Sequence, residues 1–215
     1  MIGAHQSPKR RYDAVKRVID VVGAVVVLLA TAPIQGIVAV LVASKLGRPV
    51  LFRQQRPGRN GAPFTLIKFR TMRDLDPDRG MVTDAQRLTP FGAALRSTSL
   101  DELPTLWNVL RGDMSLIGPR PLLMQYLGRY SPEQARRHEV RPGVTGLAQV
   151  SGRNAITWDE KFAADVEYVR RRSLPLDIHI ALRTVLSVFS RDGIAAPGNV
   201  SMPEFIGPIV PERPS

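Results

Sequence analysis

Between Asp20 and Lys45 the chain carries no charged residue. The run from Val21 to Ala43, VVGAVVVLLATAPIQGIVAVLVA, would extend roughly 34 Å as a single helix, against a hydrocarbon core about 30 Å thick. It is too long for the apolar part of a signal peptide, and no small-residue cleavage site follows it. One kinked spanning helix is the simplest reading, but two features favour another. Basic residues flank both ends: Lys9, Arg10, Arg11, Lys16 and Arg17 before, Lys45, Arg48, Arg53, Arg56 and Arg59 after. Positive flanks prefer the cytoplasmic side. Pro33 then removes a backbone donor near the middle and disfavours helical geometry at Ala32, leaving halves of roughly 16 to 18 Å that are each too short to cross. The pattern predicts a re-entrant helix-break-helix hairpin with its break at Ala32-Pro33. Thr31 and Gln35 stand ready to pair with backbone groups freed there.

The rest of the 215 residues suffices for one catalytic unit of ordinary size. The predicted division is a basic N-terminus and membrane hairpin over 1–47, a domain on the membrane face over 48–190, and a Gly- and Pro-rich tail over 191–215. The fold class is mainly α with a small β-hairpin. The hairpin comes from the β-prone runs 49–56 and 64–71 around the turn residues Pro57-Gly58-Arg59-Asn60-Gly61. A polar loop is predicted over 74–84, and helices near 90–97, 101–111 and 121–128. Two more start at Ser131-Pro132 and at the capping-box spacing of Thr157 and Glu160, and a mostly apolar helix, either buried or lying at the lipid interface, is expected near 175–190. Absence of cysteine excludes disulfides and thiolate metal sites, and 3 scattered histidines argue against a His-rich zinc site.

A net charge of +11 calls for an anionic partner: nucleic acid, an anionic membrane surface or a phosphorylated substrate. Nucleic acid fits poorly, because no RNP-like, helix-turn-helix or zinc pattern occurs and aromatic residues make up only 6%, which weakens any stacking platform. Phosphate chemistry is better served. The run from Arg96 to Pro104 holds the adjacent carboxylates Asp101 and Glu102, and arginines at 96, 111 and 120 surround it in sequence. Such a pair can hold a divalent cation such as Mg²⁺ while guanidinium groups neutralise remaining phosphate oxygens. Taken alone, Ser99-Leu100-Asp101-Glu102 has the spacing of a helix capping box, although Pro104 shifts the helix start towards Asp101. Arg96 and Arg120 are the first candidates for phosphate contact. Arg141 and Arg153 beside Gly/Pro turns, and Lys68 in a strand, are further candidates. Lys16 and Arg17 are candidates for lipid headgroups.

Eight motifs in one order carry a resemblance. They are Lys16-Arg17 with Asp20, Gln55 to Gly58, Lys68 to Met72, Ser99 to Pro104, Asn108 to Ser115, Gly118 to Pro121, Arg141 to Gly146 and Ser151 to Asn154. Over about residues 9 to 207 the chain resembles the small bacterial polyprenyl-phosphate phosphoglycosyl transferases. It departs from their usual pattern at Ala32, where serine is common before the proline, and at Leu147, where many carry tryptophan.

The resemblance implies a monotopic enzyme on the cytoplasmic face of the bacterial inner membrane. It would transfer a sugar 1-phosphate from a UDP-sugar to undecaprenyl phosphate with Mg²⁺ and release UMP. In this chain Asp101 would be the nucleophile carrying a covalent phosphosugar, and Glu102 its partner in holding the metal. A compact length weakly suggests an N-acetylated amino sugar. Membrane lipids are further expected partners, nucleic acid is not, and apolar helix surface beside lipid leaves room for a homodimer. The competing functions are a membrane-tethered nucleic-acid-binding module and a non-catalytic scaffold.

Overall fold

A computed structural model describes residues 10–152, 156–190 and 204–207. The largest element is α1, Arg10–Leu46, which is helical throughout with Pro33 inside it. Where the sequence predicts two half-helices, the structure has one helical element. Thr31 Oγ1 donates to Val27 O at 2.6 Å and accepts from Gln35 Nε2 at 2.9 Å, so the two side chains pair with each other across the proline and the hydroxyl serves Val27, not the Leu29 carbonyl that Pro33 leaves without its donor. Past its last residue, Gly47 turns the chain at φ 82°, and the buried Arg70 donates to Leu46 O at the helix's negative end.

The inward stripe of α1 runs through Asp20, Ala24, Leu28, Val38 and Val42, at helical spacing. Its other faces leave Val22, Val26, Leu29, Ile37 and Val40 exposed. Both halves rest on one body. Ala24 and Leu28 pack with Phe64, Leu66, Leu106 and Val109, while Val38 and Val42 pack with Phe69 and Leu95.

The predicted hairpin is present: β1 (Leu51–Pro57) pairs antiparallel with β2 (Pro63–Phe69), Phe52 opposite Lys68 and Arg53 opposite Ile67. The 74–84 segment holds a 3₁₀ turn at Pro77–Arg79, and α2 (Asp84–Arg87) follows it. Next come α3 (Pro90–Ser97), a 3₁₀ segment (Leu100–Thr105) and α4 (Leu106–Arg111). The single helix predicted over 101–111 is thus split, because Pro104 cannot donate within it. Strand β3 (Ser115–Ile117) leads to a 3₁₀ segment, Met124–Arg129, where a helix was expected over 121–128.

The remaining elements are α5 (Pro132–Ala135), a 3₁₀ segment (Arg136–Glu139), β4 (Gly143–Thr145), α6 (Leu147–Ser151), α7 (Trp158–Arg171) and α8 (Leu174–Ser190). The capping boxes at Ser131 and Thr157 are both formed, the first with Gln134 and the second with Glu160. Strands β3 and β4 pair in parallel, which the sequence does not announce. Gly118 and Gly143 permit it: a Cβ on Gly143 would lie 2.1 Å from Gly118 N. Helix α8 is tied to α1 through Asp177, which accepts from Tyr12 at 2.8 Å, Lys16 at 3.0 Å and Tyr168 at 2.9 Å. Its outer face exposes Ile178, Leu182, Val185 and Leu186. Among the described residues only α1 is long and apolar enough to cross a membrane.

Candidate active site

Strand alternation sets the first residue of the site. Phe64 and Leu66 on β2 point into the core beneath α1, and Lys68, two residues on, continues that face to its rim. There Lys68 Nζ meets Glu102 Oε1 at 2.5 Å, and Arg120 Nη2 reaches the same oxygen at 2.8 Å. Burial alone would raise the Glu102 carboxyl, but Arg120 and Lys68 together outweigh it and hold it down at about 2. Asp101 is treated differently. It is buried, at 7% exposure, and among the described residues no hydrogen-bond donor serves its carboxylate. Burial first, and the charge of Glu102 second, push it up to about 6, against the pull of Lys68, Arg120 and Arg96.

Arg96 comes from α3, whose N-terminus lies against the strand exit: a Cβ on Gly92 would fall 1.8 Å from Thr71 O, so only glycine allows the approach. Arg96 Nε then donates to Thr71 Oγ1 at 3.0 Å. The capping box proposed for Ser99 and Glu102 does not form. Ser99 sits in left-handed backbone, φ 56° and ψ 16°, with no side-chain cap bond, and Glu102 turns instead to its two cations. Such a conformation costs a non-glycine residue about 1–2 kcal/mol, retained here where the chain presents the dyad.

Behind the dyad, buried polar groups lock the strand to the helix. Asn108, fully buried, accepts from Ile67 N at 3.1 Å and donates to Thr65 O at 2.8 Å. Thr105 Oγ1 donates to Ile67 O at 3.0 Å. Lys68 therefore stands on a backbone whose free edge is satisfied by side chains of the dyad's own segment. Arg120 is braced from behind. Arg137 donates to its carbonyl at 2.7 Å and is itself gripped by Asp165 at 2.7 Å, both partners being buried.

Five of the sequence candidates thus meet at one place: Asp101, Glu102, Lys68, Arg96 and Arg120. Others do not. Arg141 Nε donates to Gly112 O at 2.8 Å, and its charged neighbours are Arg17, Arg59, Asp20 and Asp13. Arg17 donates to Val109 O and Leu110 O, capping the negative end of α4, and Lys16 pairs with Asp177 and Asp20. These cations hold α1 to the domain; a basic residue in sequence does not disclose that a helix end will reach it. Arg153 lies outside the described residues. Asn108, Arg137 and Asp165 were not singled out as individual functional residues, since a buried polar side chain announces itself only through its partners.

Among the described residues no three acidic or histidine side chains converge as a metal cage. The dyad itself fits a magnesium-sized cation of another kind, one that takes one or two carboxylates and completes its shell with water and phosphate oxygens. Asp101, buried and without a donor among the described residues, is the carboxylate such a cation would relieve.

The chain matches the bacterial sugar transferase family over residues 11–191, a span that includes the dyad. It is 49% identical over 193 residues to an uncharacterized sugar transferase of Bacillus subtilis, EpsL, covering 89% of this chain and 96% of that one. It is 44% identical over 199 residues to the UDP-glucose:undecaprenyl-phosphate glucose-1-phosphate transferase of Caulobacter vibrioides, covering 86% of this chain and 73% of that one. To the undecaprenyl-phosphate galactose phosphotransferase of Salmonella typhimurium it is 36% identical over 204 residues, 86% of this chain but only 42% of that longer protein. With the match extending over most of its length, the membership that the ordered motifs imply holds: the chain belongs to the bacterial sugar transferase family.

Proposed function

We propose that this chain transfers a sugar 1-phosphate from a UDP-sugar to undecaprenyl phosphate on the cytoplasmic face of the bacterial inner membrane, through a covalent intermediate on Asp101. The observation that carries the reading is the division of labour in the dyad. Glu102 has two cationic partners, while Asp101 beside it is desolvated and has no hydrogen-bond donor among the described residues. A carboxylate so placed is a competent nucleophile once approaching phosphate charge is neutralised, and Lys68, Arg96 and Arg120 stand around it for that purpose.

In the first step an Asp101 oxygen bonds to the β-phosphorus of the donor. The bond from that phosphorus to the bridging oxygen breaks, and its electron pair leaves with UMP. In the second step an oxygen of the lipid phosphate attacks the same phosphorus and the bond to Asp101 breaks, restoring the carboxylate and giving a lipid-linked diphosphosugar. Asp101 and Glu102 would hold Mg²⁺, which supplies charge neutralisation on the phosphate oxygens when bound. The names of the Caulobacter and Salmonella relatives support a UDP-sugar donor and an undecaprenyl phosphate acceptor.

Membrane placement is supported by α1. Ala24 and Leu28 before the proline and Val38 and Val42 after it dock on the same body, so a helix carrying the domain at one end and crossing to the other side does not suit the contacts. Both halves lying on the domain's side of the membrane do. The apolar outer faces of α1 and α8 supply the lipid contact.

The test is incubation with Mg²⁺, undecaprenyl phosphate and a panel of UDP-glucose, UDP-galactose and their N-acetylated amino counterparts. The panel covers the glucose and galactose of the named relatives and the amino sugars expected from the family resemblance. UMP release that depends on Asp101 is the expected result; UDP release would mean ordinary glycosyl transfer and overturn the mechanism.

A further inference from the structure

Opposite the Lys68 face of β2, Ile67 and Phe69 line a groove of about 600 Å³ that the proposed reaction does not use. Its walls are Gln35 and Ala39 of α1, Val50 and Leu51 at the start of the hairpin, and Pro104 and Trp107. Trp107 is 52% exposed there, an unusual position for the largest apolar side chain of a short helix. Two guanidiniums, Arg53 and Arg111, complete the lining, and among the described residues neither has an acidic partner. An apolar trough with unneutralised arginines at its edge complements an amphiphile with an anionic head.

We propose that this groove seats one acyl chain of an anionic bilayer phospholipid, with Arg53 and Arg111 on its phosphate. Position favours a bilayer lipid over the acceptor. The 3₁₀ segment passes into α4 without a non-helical residue between, so Arg111 lies roughly 17 Å beyond Asp101 along the axis, too far for a phosphate held there to react. The inference rests on the membrane placement proposed above but not on the chemistry at Asp101.

The test uses the Trp158→Phe background, so that Trp107 is the only tryptophan left of the chain's two. The protein is mixed with vesicles of phosphatidylcholine alone or in equal mixture with phosphatidylglycerol, with bromine on the chains of one lipid at a time. Brominated phosphatidylglycerol is expected to quench Trp107 more than brominated phosphatidylcholine does. Arg53→Ala with Arg111→Ala is expected to cut that preference roughly ten- to thirtyfold, from about 1 kcal/mol per cation at an anionic surface. Arg183→Ala, which removes an exposed charge on α8, should leave it unchanged. Ala39→Phe, which fills the trough, should abolish it; should that variant not fold, the surface arginine pair still decides. Equal quenching by the two lipids overturns the proposal, as does an equal loss in Arg183→Ala, which would mean diffuse surface attraction. Displacement of the brominated lipid by equimolar undecaprenyl phosphate would also overturn it, reassigning the groove to the acceptor. Flotation with neither vesicle would sink the membrane placement and the groove together, while UMP release measured on the same preparation reports separately on the chemistry.

Discussion

At the scale of single residues, the site sets adjacent carboxylates against each other. Glu102 stays ionised because its cations outweigh its burial; Asp101 remains a carboxylate at neutral pH at a cost in folding free energy. Its folded value of about 6 exceeds the ordinary 3.8, so the folded state binds that proton more tightly, and the Asp101 contribution to stability is present at low pH and lost as pH rises through 6. Asp101→Asn is therefore expected to abolish turnover while raising stability at pH 7 by about 1–3 kcal/mol, measured by denaturant unfolding in detergent. A destabilised Asn variant would contradict this account of the site. The same group is expected to titrate near 6 in the cation-free protein, read as a carboxyl band in infrared difference spectra that Asp101→Asn removes. A carboxyl band already lost by pH 5 would contradict this account of the site.

At the scale of elements, what matters is how β2 is fastened to the segment carrying the dyad. Asn108 and Thr105 satisfy the strand edge, and Gly92 lets α3 close over Thr71. Asn108→Ala orphans Ile67 N and Thr65 O in a buried place, and a loss of about 2–4 kcal/mol is expected, with turnover falling as Lys68 loses its register. A shift in thermal midpoint too small to resolve would show that water replaces the amide. Much at this scale was legible beforehand. The hairpin followed from β-prone runs around a Pro-Gly-Arg-Asn-Gly turn, and the helix starts at Ser131 and Thr157 from their capping pattern. At Leu100 the local pattern allows an α-helix, but Pro104, which cannot donate, leaves the tighter 3₁₀ form; the 3₁₀ form at Met124–Arg129 has no such local cause.

At the scale of the whole molecule, α1 is long and apolar enough to cross a membrane and is at the same time part of the domain's core. Asp20 accepts from Leu116 N at 3.0 Å, Arg17 caps α4, and Lys16 and Tyr12 hold α8 through Asp177. Docking at both ends predicts one-sided topology, and the chain's lack of cysteine makes it easy to probe. Single cysteines at Arg11 and at Arg48 should both react with an impermeant maleimide in inverted membrane vesicles, and neither in right-side-out cells. Labelling from opposite sides would establish a spanning helix and remove the monotopic reading.

The sequence by itself determined the apolar segment, the strand turns, the caps and the adjacency of Asp101 to Glu102, because each of these depends on residues within a few positions of one another. It also sufficed, through the order of its motifs, to reveal the family. Only the tertiary structure decided which basic residues serve the dyad. Lys68, 34 residues from Glu102, and Arg120, 18 residues from it, converge on one oxygen, while Arg141, Arg17 and Lys16 are spent on helix ends and buried carboxylates. All are alike as charges on a string. Their roles separate only when a strand's alternation, a helix's stripe and a close glycine contact fix where each guanidinium or ammonium can reach.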